Sequence, residues 1–344
     1  MSRILDSTMR TLLNPKLSES AVRLLLSALF AAFFGSVSAS RPDRVNLFPR
    51  VRPGQTLAYQ ISYHSDKQVQ THSSLVIASP SDNAKVDVHG LLRLEILTIN
   101  PEGDRATIHA RSHFDVLNSE SHFKVPEVQA PDPQIQRQDA QEKYIDFTVL
   151  PDGRIDSVKG LDQLFPEQQQ AWQEWVSRFV LAAGFPGNGA KLAQRWKSDE
   201  AEKSPAPIAG LRWFRDSTYV RNEPCHPMQM TVRGEIADSD AEQETCAVLL
   251  TTAALKQDSH PQSATPEDFK LHELRTSGTS RGTNRIITYA SLKTGLIVRA
   301  TEEAHQQMDV TVAKADGSNR VRYAVNATSH SEIVLISETP LTHP

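Results

Sequence analysis

Apolar residues recurring at every second position constrain this chain more than any other feature. Leu57, Tyr59, Ile61 and Tyr63 alternate with Ala58, Gln60, Ser62 and His64, after a Pro53-Gly54 turn. Successive side chains of a strand point to opposite faces, so period two describes a half-buried β-strand. Leu92, Leu94, Ile96 and Thr98 repeat the pattern. A turn at Asn100-Pro101-Glu102-Gly103-Asp104 then leads into 106–117, which predicts a hairpin. Further strands are expected at 69–78, 144–150, 155–158, 211–220, 228–236, 246–255, 269–276, 286–292, 296–301, 308–313 and 321–337. Residues 118–140 lose the pattern and read as an exposed loop. No alternation of strands with crossover helices occurs, so a parallel sheet is excluded.

One segment departs from period two. Trp172, Trp175, Val176, Phe179, Val180 and Ala183 fall at helical spacing, behind Pro166 and before Gly184. This predicts an amphipathic helix over 166–183. Its tryptophans are read as a plug onto a sheet, in preference to a carbohydrate platform, because the stripe continues in apolar residues. Strands with one apolar face need a cover. The expected fold is therefore α+β and mainly antiparallel, a curved sheet or half-barrel packed on the 166–183 helix. The expected division is a signal peptide at 1–39, a β half at 40–187 ending in the helix, and a second β half at 188–344. Residues 144–155 resemble 286–297 at an offset of 142 at the glycine, and 106–111 precede 247–252 by 141. Duplication is one account; the other is that any β-meander contains strand–turn–strand units.

The stretch 21–40 reads AVRLLLSALFAAFFGSVSAS. Arg23 precedes an apolar run from Leu24 to Phe34, and Val37-Ser38-Ala39 supplies a small-residue exit. That layout is a secretory signal peptide with cleavage after Ala39. A buried helix or an uncleaved anchor is the alternative, although the run is short of the ~20 residues of a membrane span. Cleavage leaves 305 of the 344 residues, carrying 33 Lys and Arg against 39 Asp and Glu. A net charge near −6 excludes the basic footprint of a nucleic-acid binder and gives no polybasic lipid patch. Cys225 and Cys246 are the two cysteines, both in the exported part. An oxidising compartment makes them a disulfide; two reduced, unrelated thiols are the alternative. A CxxC redox motif is absent.

Gly278-Thr279-Ser280-Arg281-Gly282 matches G-x-S-x-G, and Asp309 and His330 follow in the chain order of an α/β-hydrolase triad. The nucleophile elbow needs a strand before the serine and a helix after it, yet 286–289 reads as strand. Twelve histidines invite a metal reading. His109 and His113, four apart, would chelate on a helix but lie about 13 Å apart on a strand. No metal site and no cofactor is expected. The Gly-rich run 184–191 follows a helix instead of opening one, so it reads as a helix stop and turn and not a phosphate cradle. Asn326-Ala327-Thr328 is a glycosylation sequon inside an expected strand.

Pro53-Gly54-Gln55-Thr56-Leu57-Ala58-Tyr59, Ile208-Ala209-Gly210-Leu211-Arg212-Trp213 and Thr301-Glu302-Glu303-Ala304 resemble uncharacterised exported bacterial proteins of the acidobacterial type. The resemblance implies export and no activity. In layout alone the chain is also similar to LolA-like periplasmic half-barrels, in which a curved antiparallel sheet wraps helices and an apolar ligand. Neither resemblance assigns a site residue. The expected function is a non-catalytic, periplasmic or secreted protein that binds an amphipathic ligand or an envelope protein. The alternative is a serine hydrolase using Ser280, Asp309 and His330.

Overall fold

The computed structural model describes residues 44–73, 81–103, 105–123, 143–164, 172, 185–201, 207–225, 244–257 and 265–340. Eleven strands are formed: β1 Gln55–Ser73, β2 Ser81–Glu102, β3 Arg105–Phe123, β4 Tyr144–Val149, β5 Ile155–Lys159, β6 Arg195–Ala201, β7 Leu211–Pro224, β8 Thr245–Gln257, β9 Leu274–Ser291, β10 Ile297–Lys314 and β11 Val321–Pro340. A 3-10 turn at Leu161–Gln163 and a short helix, α1 (Glu267–Leu271), are the other named elements. The strands form a single sheet in the order β5-β4-β3-β2-β1-β11-β10-β9-β8-β7-β6, every neighbouring pair antiparallel. The first and last long strands therefore meet in the middle. β1–β5 form one flank of this sheet and β6–β11 the other, joined at the β1·β11 ladder.

The expected α+β class is corrected by this architecture. The described residues are nearly all antiparallel sheet, because strands run through segments that sequence patterning broke into loops. Ser65-Asp66-Lys67-Gln68 lies inside β1, and the break expected between 301 and 308 lies inside β10. Of the expected 166–183 helix, Trp172 is described; the rest lies outside the described residues, as do the strand expected at 228–236 and the signal segment. Trp172 is helical and buried. Its ring meets Phe147 edge-on at 5.6 Å, and its Nε1–H donates to Ser112 Oγ at 2.7 Å. The duplicated offset does not carry over into pairing. Ile108 lies opposite Val149. Its counterpart Leu249 lies opposite Thr288, three residues short of Ser291.

The core occupies one end of one face. Leu57, Tyr59 and Ile61 of β1 meet Leu94, Leu92 and Gly90 of β2 in register. Ile108, Ala110, Ile145, Phe147, Ile333 and Leu335 extend the same buried cluster. Each fully buried large side chain is worth ~1.5–3 kcal/mol, so this end supplies most of the cohesion. A second cluster of Leu47, Phe185, Ala190, Tyr219, Ala247, Leu249 and Ala290 seals the β7–β9 side.

Two irregular segments close that end. Val45 and Ala190 exchange both backbone hydrogen bonds, at 2.9 and 3.0 Å. Arg50 N–H donates to Thr294 O at 2.7 Å. Arg105, at the start of β3, donates to Pro151 O and Gly187 O, while Ala193 N–H donates to Tyr219 O on β7. The run 187–193 thus ties β3 to β7, which lie seven places apart in the sheet. It contains a turn closed by Gly189 N–H to Pro186 O, as expected of a turn and not a phosphate cradle. The expected disulfide forms between Cys225 and Cys246, with Cα atoms 4.9 Å apart.

Candidate functional site

Pairing parity separates two faces of the long strands. On β9 and β10 the even-numbered residues share the core's face, and on β1 and β11 the odd-numbered residues do. Past the core, this inner face is half-buried along β1 and β11 but buried at Glu302, Ala253, Leu255, Ser280 and Val310. One row across the strands reads Val86, Ser65, Ser329, Ala304, Asn284, Ala253 and Arg215. The row nearer the core reads Val88, Tyr63, Ser331, Glu302, Ile286, Thr251 and Ser217. Farther out, Val69, Val325, Met308 and Ser280 form another. The opposite face at the same level carries His64, Asp66, Gln68, Lys85, Glu303, Arg281, Arg285 and Arg322.

Small side chains dominate the middle row. Ser65, Ser329, Ala304 and Ala253 make this row low, a trough running from β1 to β8 that Asn284 interrupts on β9; the next row out reads Lys67, Ala327, Gln306, Gly282 and Leu255. Four strand spacings make it about 19 Å long. Val86 ends it on the β2 side. On the β7 side Arg215 donates to Glu200 Oε2 of β6 at 2.7 Å, in a part-buried ion pair. Ser217 and Thr251 join hydroxyls at 2.8 Å, and Asn284 Nδ2 donates to the Glu302 carboxylate. The trough is thus small but mixed in polarity, with Ser65, Ser329 and Asn284 beside Ala304 and Ala253, and an ion pair at one end.

Ser280, Asp309 and His330 do not form a triad. Ser280 lies on the inner face, buried at 5% exposure, in the middle of β9 with no elbow. Its ladder partner is Met308; Asp309 pairs with Thr279 and so faces the other way. His330 shares the face of Asp309 but sits six residues along from Asp309's partner Ala324, about 20 Å away. Asp309 is held instead by the Arg322 guanidinium, whose hydrogen bonds lower its carboxyl pKa below the usual range. Both motif glycines have packing reasons. A Cβ on Gly278 (φ +142°) would stand 2.1 Å from Asp309 O, and one on Gly282 would stand 3.1 Å from Trp213 Cη2. The motif is a close strand–strand approach.

Two grooves open elsewhere. One of about 510 Å³ lies at the sealed end, lined by Phe48, Arg50, Ile99, Arg105 and Ile108 among others. The second, about 420 Å³, lies on the outer face among Thr56, Arg93, Glu95, Arg111, His113, Asp115 and Tyr144. Its charges are matched in place. Arg111 forks onto Asp146 at 2.7 and 3.1 Å; that hydrogen bonding raises the arginine and lowers the carboxyl pKa. His113 Nε2 meets Asp115 Oδ1 at 2.8 Å, and its ring stacks on Tyr144 at 5.0 Å. His109 turns to Thr148 Oγ1 instead, so the His109/His113 pair does not converge. Among the described residues no group of three or more His, Cys, Asp or Glu side chains could hold a metal ion. No described helix is long and apolar enough to cross a membrane.

No protein-family model matches the chain, and no curated protein matches it. Among solved structures it is similar to lipovitellin, studied for its lipid–protein interactions, at 13% identity and a TM-score of 0.42. That match covers 85% of this chain and 26% of lipovitellin, so the chain spans about a quarter of its length. It is also similar to a Bacteroides fragilis protein of YmcC-like fold described as exported, at 10% identity and TM-score 0.25, covering 86% and 99% of the two chains. A Parabacteroides distasonis protein described as a lipoprotein matches at 10% identity and TM-score 0.26, over 86% and 100%. At these levels none of the three bears on what this chain binds.

Proposed function

We propose that this chain is an exported, non-catalytic binding protein that lays a long-chain amphipathic molecule along the inner trough. The observation that carries the reading is the row Ser65, Ser329, Ala304 and Ala253, small residues on four strands of a face whose other end is a packed core. Small side chains in register leave space that Leu or Phe at the same positions would fill. Half-buried Val86 ends it, and half-buried Met308 and Val325 lie two rows farther out, apolar surface that gains from being covered. The Arg215–Glu200 pair at the β7 end gives a charged head group a place to dock. The signal-like segment supports delivery outside the cytoplasm. The tie between β3 and β7 favours a sheet bent toward its own flanks, with 40–187 and 188–344 as the two sides of one hollow.

Native mass spectrometry of the exported protein tests this. A co-purifying long-chain lipid, or uptake of one from mixed phospholipid vesicles, is the expected result. A chain that emerges bare and takes up nothing from vesicles contradicts it.

A further inference from the structure

The groove at the sealed end joins an apolar wall to two cations that no described carboxylate neutralises. Phe48, Val51, Ile99 and Ile108 line it with Arg50 and Arg105, around a volume of about 510 Å³, within the ~300–1,000 Å³ of small-molecule sites. Arg105 is held in place on three sides. Its Nη1 donates to Pro151 O at 2.7 Å, its Nη2 donates to Gly187 O at 3.0 Å, and its guanidinium stands 5.9 Å from the Phe48 ring centroid. Arg50 Nη1 donates to Lys293 O at 3.1 Å. A guanidinium has five N–H donors, so both arginines keep donors to spare. Elsewhere on the sheet Arg111, Arg215 and Arg322 each face a carboxylate. Among the described residues the side chains of Arg50 and Arg105 hydrogen-bond to backbone carbonyls only. Glu102 lies opposite Arg105 in register, but its carboxylate accepts from Thr107 Oγ1 at 2.5 Å instead. Carbonyl dipoles fix a guanidinium and leave its charge uncompensated. Arginine is also the side chain whose paired N–H groups match carboxylate and phosphate oxygens.

We propose that this groove is a second binding site, for a small molecule with one oxyanion head group on a short apolar stem. Arg105 and Arg50 take the carboxylate or phosphate oxygens, and Phe48, Val51 and Ile99 cover the stem. The site is separate from the inner trough. The packed core lies between the two, and Ile99 stands ~35 Å along β2 from Val88 at the trough's border. Because the fold already fixes the Arg105 guanidinium, binding orders little of the protein.

Isothermal titration with octanoate, octyl phosphate, 1-octanol, acetate and inorganic phosphate, each below any micelle threshold, tests it. Wild type is expected to bind octanoate or octyl phosphate saturably, and the tighter of the two names the head group. 1-Octanol lacks the charge, and acetate and inorganic phosphate lack the stem, so each should bind about tenfold more weakly or worse. Arg50→Glu should weaken the charged chain by about tenfold or more. The Arg50 side chain makes a single exposed hydrogen bond, so this variant should melt at the wild-type temperature. Arg105→Lys keeps the charge and loses the fork, and should also weaken binding. Ala304→Asp, which alters the trough, should bind as wild type does. Unchanged affinity in the folded Arg50→Glu, loss in Ala304→Asp, 1-octanol or the stemless anions binding as tightly as the charged chain, or no saturable binding by wild type overturns the proposal.

Discussion

Trp172 is held to the sheet by both its ring and its donor. Its indole packs on Phe147 and donates to Ser112, which itself donates to Ile145 O at 3.2 Å. Trp172→Phe keeps the ring contact and removes the donor, so it should cost about 1–2 kcal/mol in urea denaturation; Trp172→Ala should cost about 3–5 kcal/mol. Ser280 is the contrary case. Its buried hydroxyl has no hydrogen-bond partner among the described residues, so Ser280→Ala should leave stability within about 1 kcal/mol of wild type or raise it. Asp146 carries a pH dependence. The Arg111 fork holds its folded pKa below the unfolded value of ~3.9. The stabilisation it gives is complete above that value and drains away as pH falls through the lower folded pKa. Denaturation from pH 6 to pH 2 should show a shallower acid loss in Asp146→Asn; an unchanged acid slope would remove the fork from the account.

At the scale of elements, the sequence made the core end legible and the open end obscure. The β2–β3 and β4–β5 hairpins stand where turn residues and alternating apolar residues coincide, at Gly103 and at Pro151-Asp152-Gly153. Past the core the inner face is small and polar, so alternation fades although the strand continues. That is why 65–68 read as a break and 278–282 as a loop. The trough was illegible for the same reason: Ser65, Ala253, Ala304 and Ser329 look unremarkable singly and become a row only through register. Elements are also pinned from outside the sheet. Gly295 (φ +70°) sits where a Cβ would stand 2.3 Å from Phe48 O. Gly295→Ala should therefore loosen the 44–51 segment and cost more than ~1 kcal/mol. Cys225 and Cys246 close a loop of sequence separation 21. Reducing the bond, or Cys225→Ser with Cys246→Ser, should cost about 3 kcal/mol on the chain-entropy account.

Over the whole molecule, one sheet carries two unlike surfaces: a charged, histidine-bearing exterior and an interior that is packed at one end and troughed at the other. A serine hydrolase is not built from it, because the three residues in triad order sit on opposite faces and far apart. The binding surface we propose rests on the pairing of β1 with β11, which makes a single continuous inner face from both flanks. The most direct measurement is titration with a fluorescent long-chain fatty-acyl probe, comparing wild type with Ala304→Asp in the trough and Thr328→Asp on the exterior of the adjoining strand. The account predicts saturable binding by wild type and Thr328→Asp, and at least tenfold weaker binding by Ala304→Asp with unchanged far-ultraviolet circular dichroism. Equal binding by wild type and the well-folded Ala304→Asp, or no binding by wild type, would contradict it.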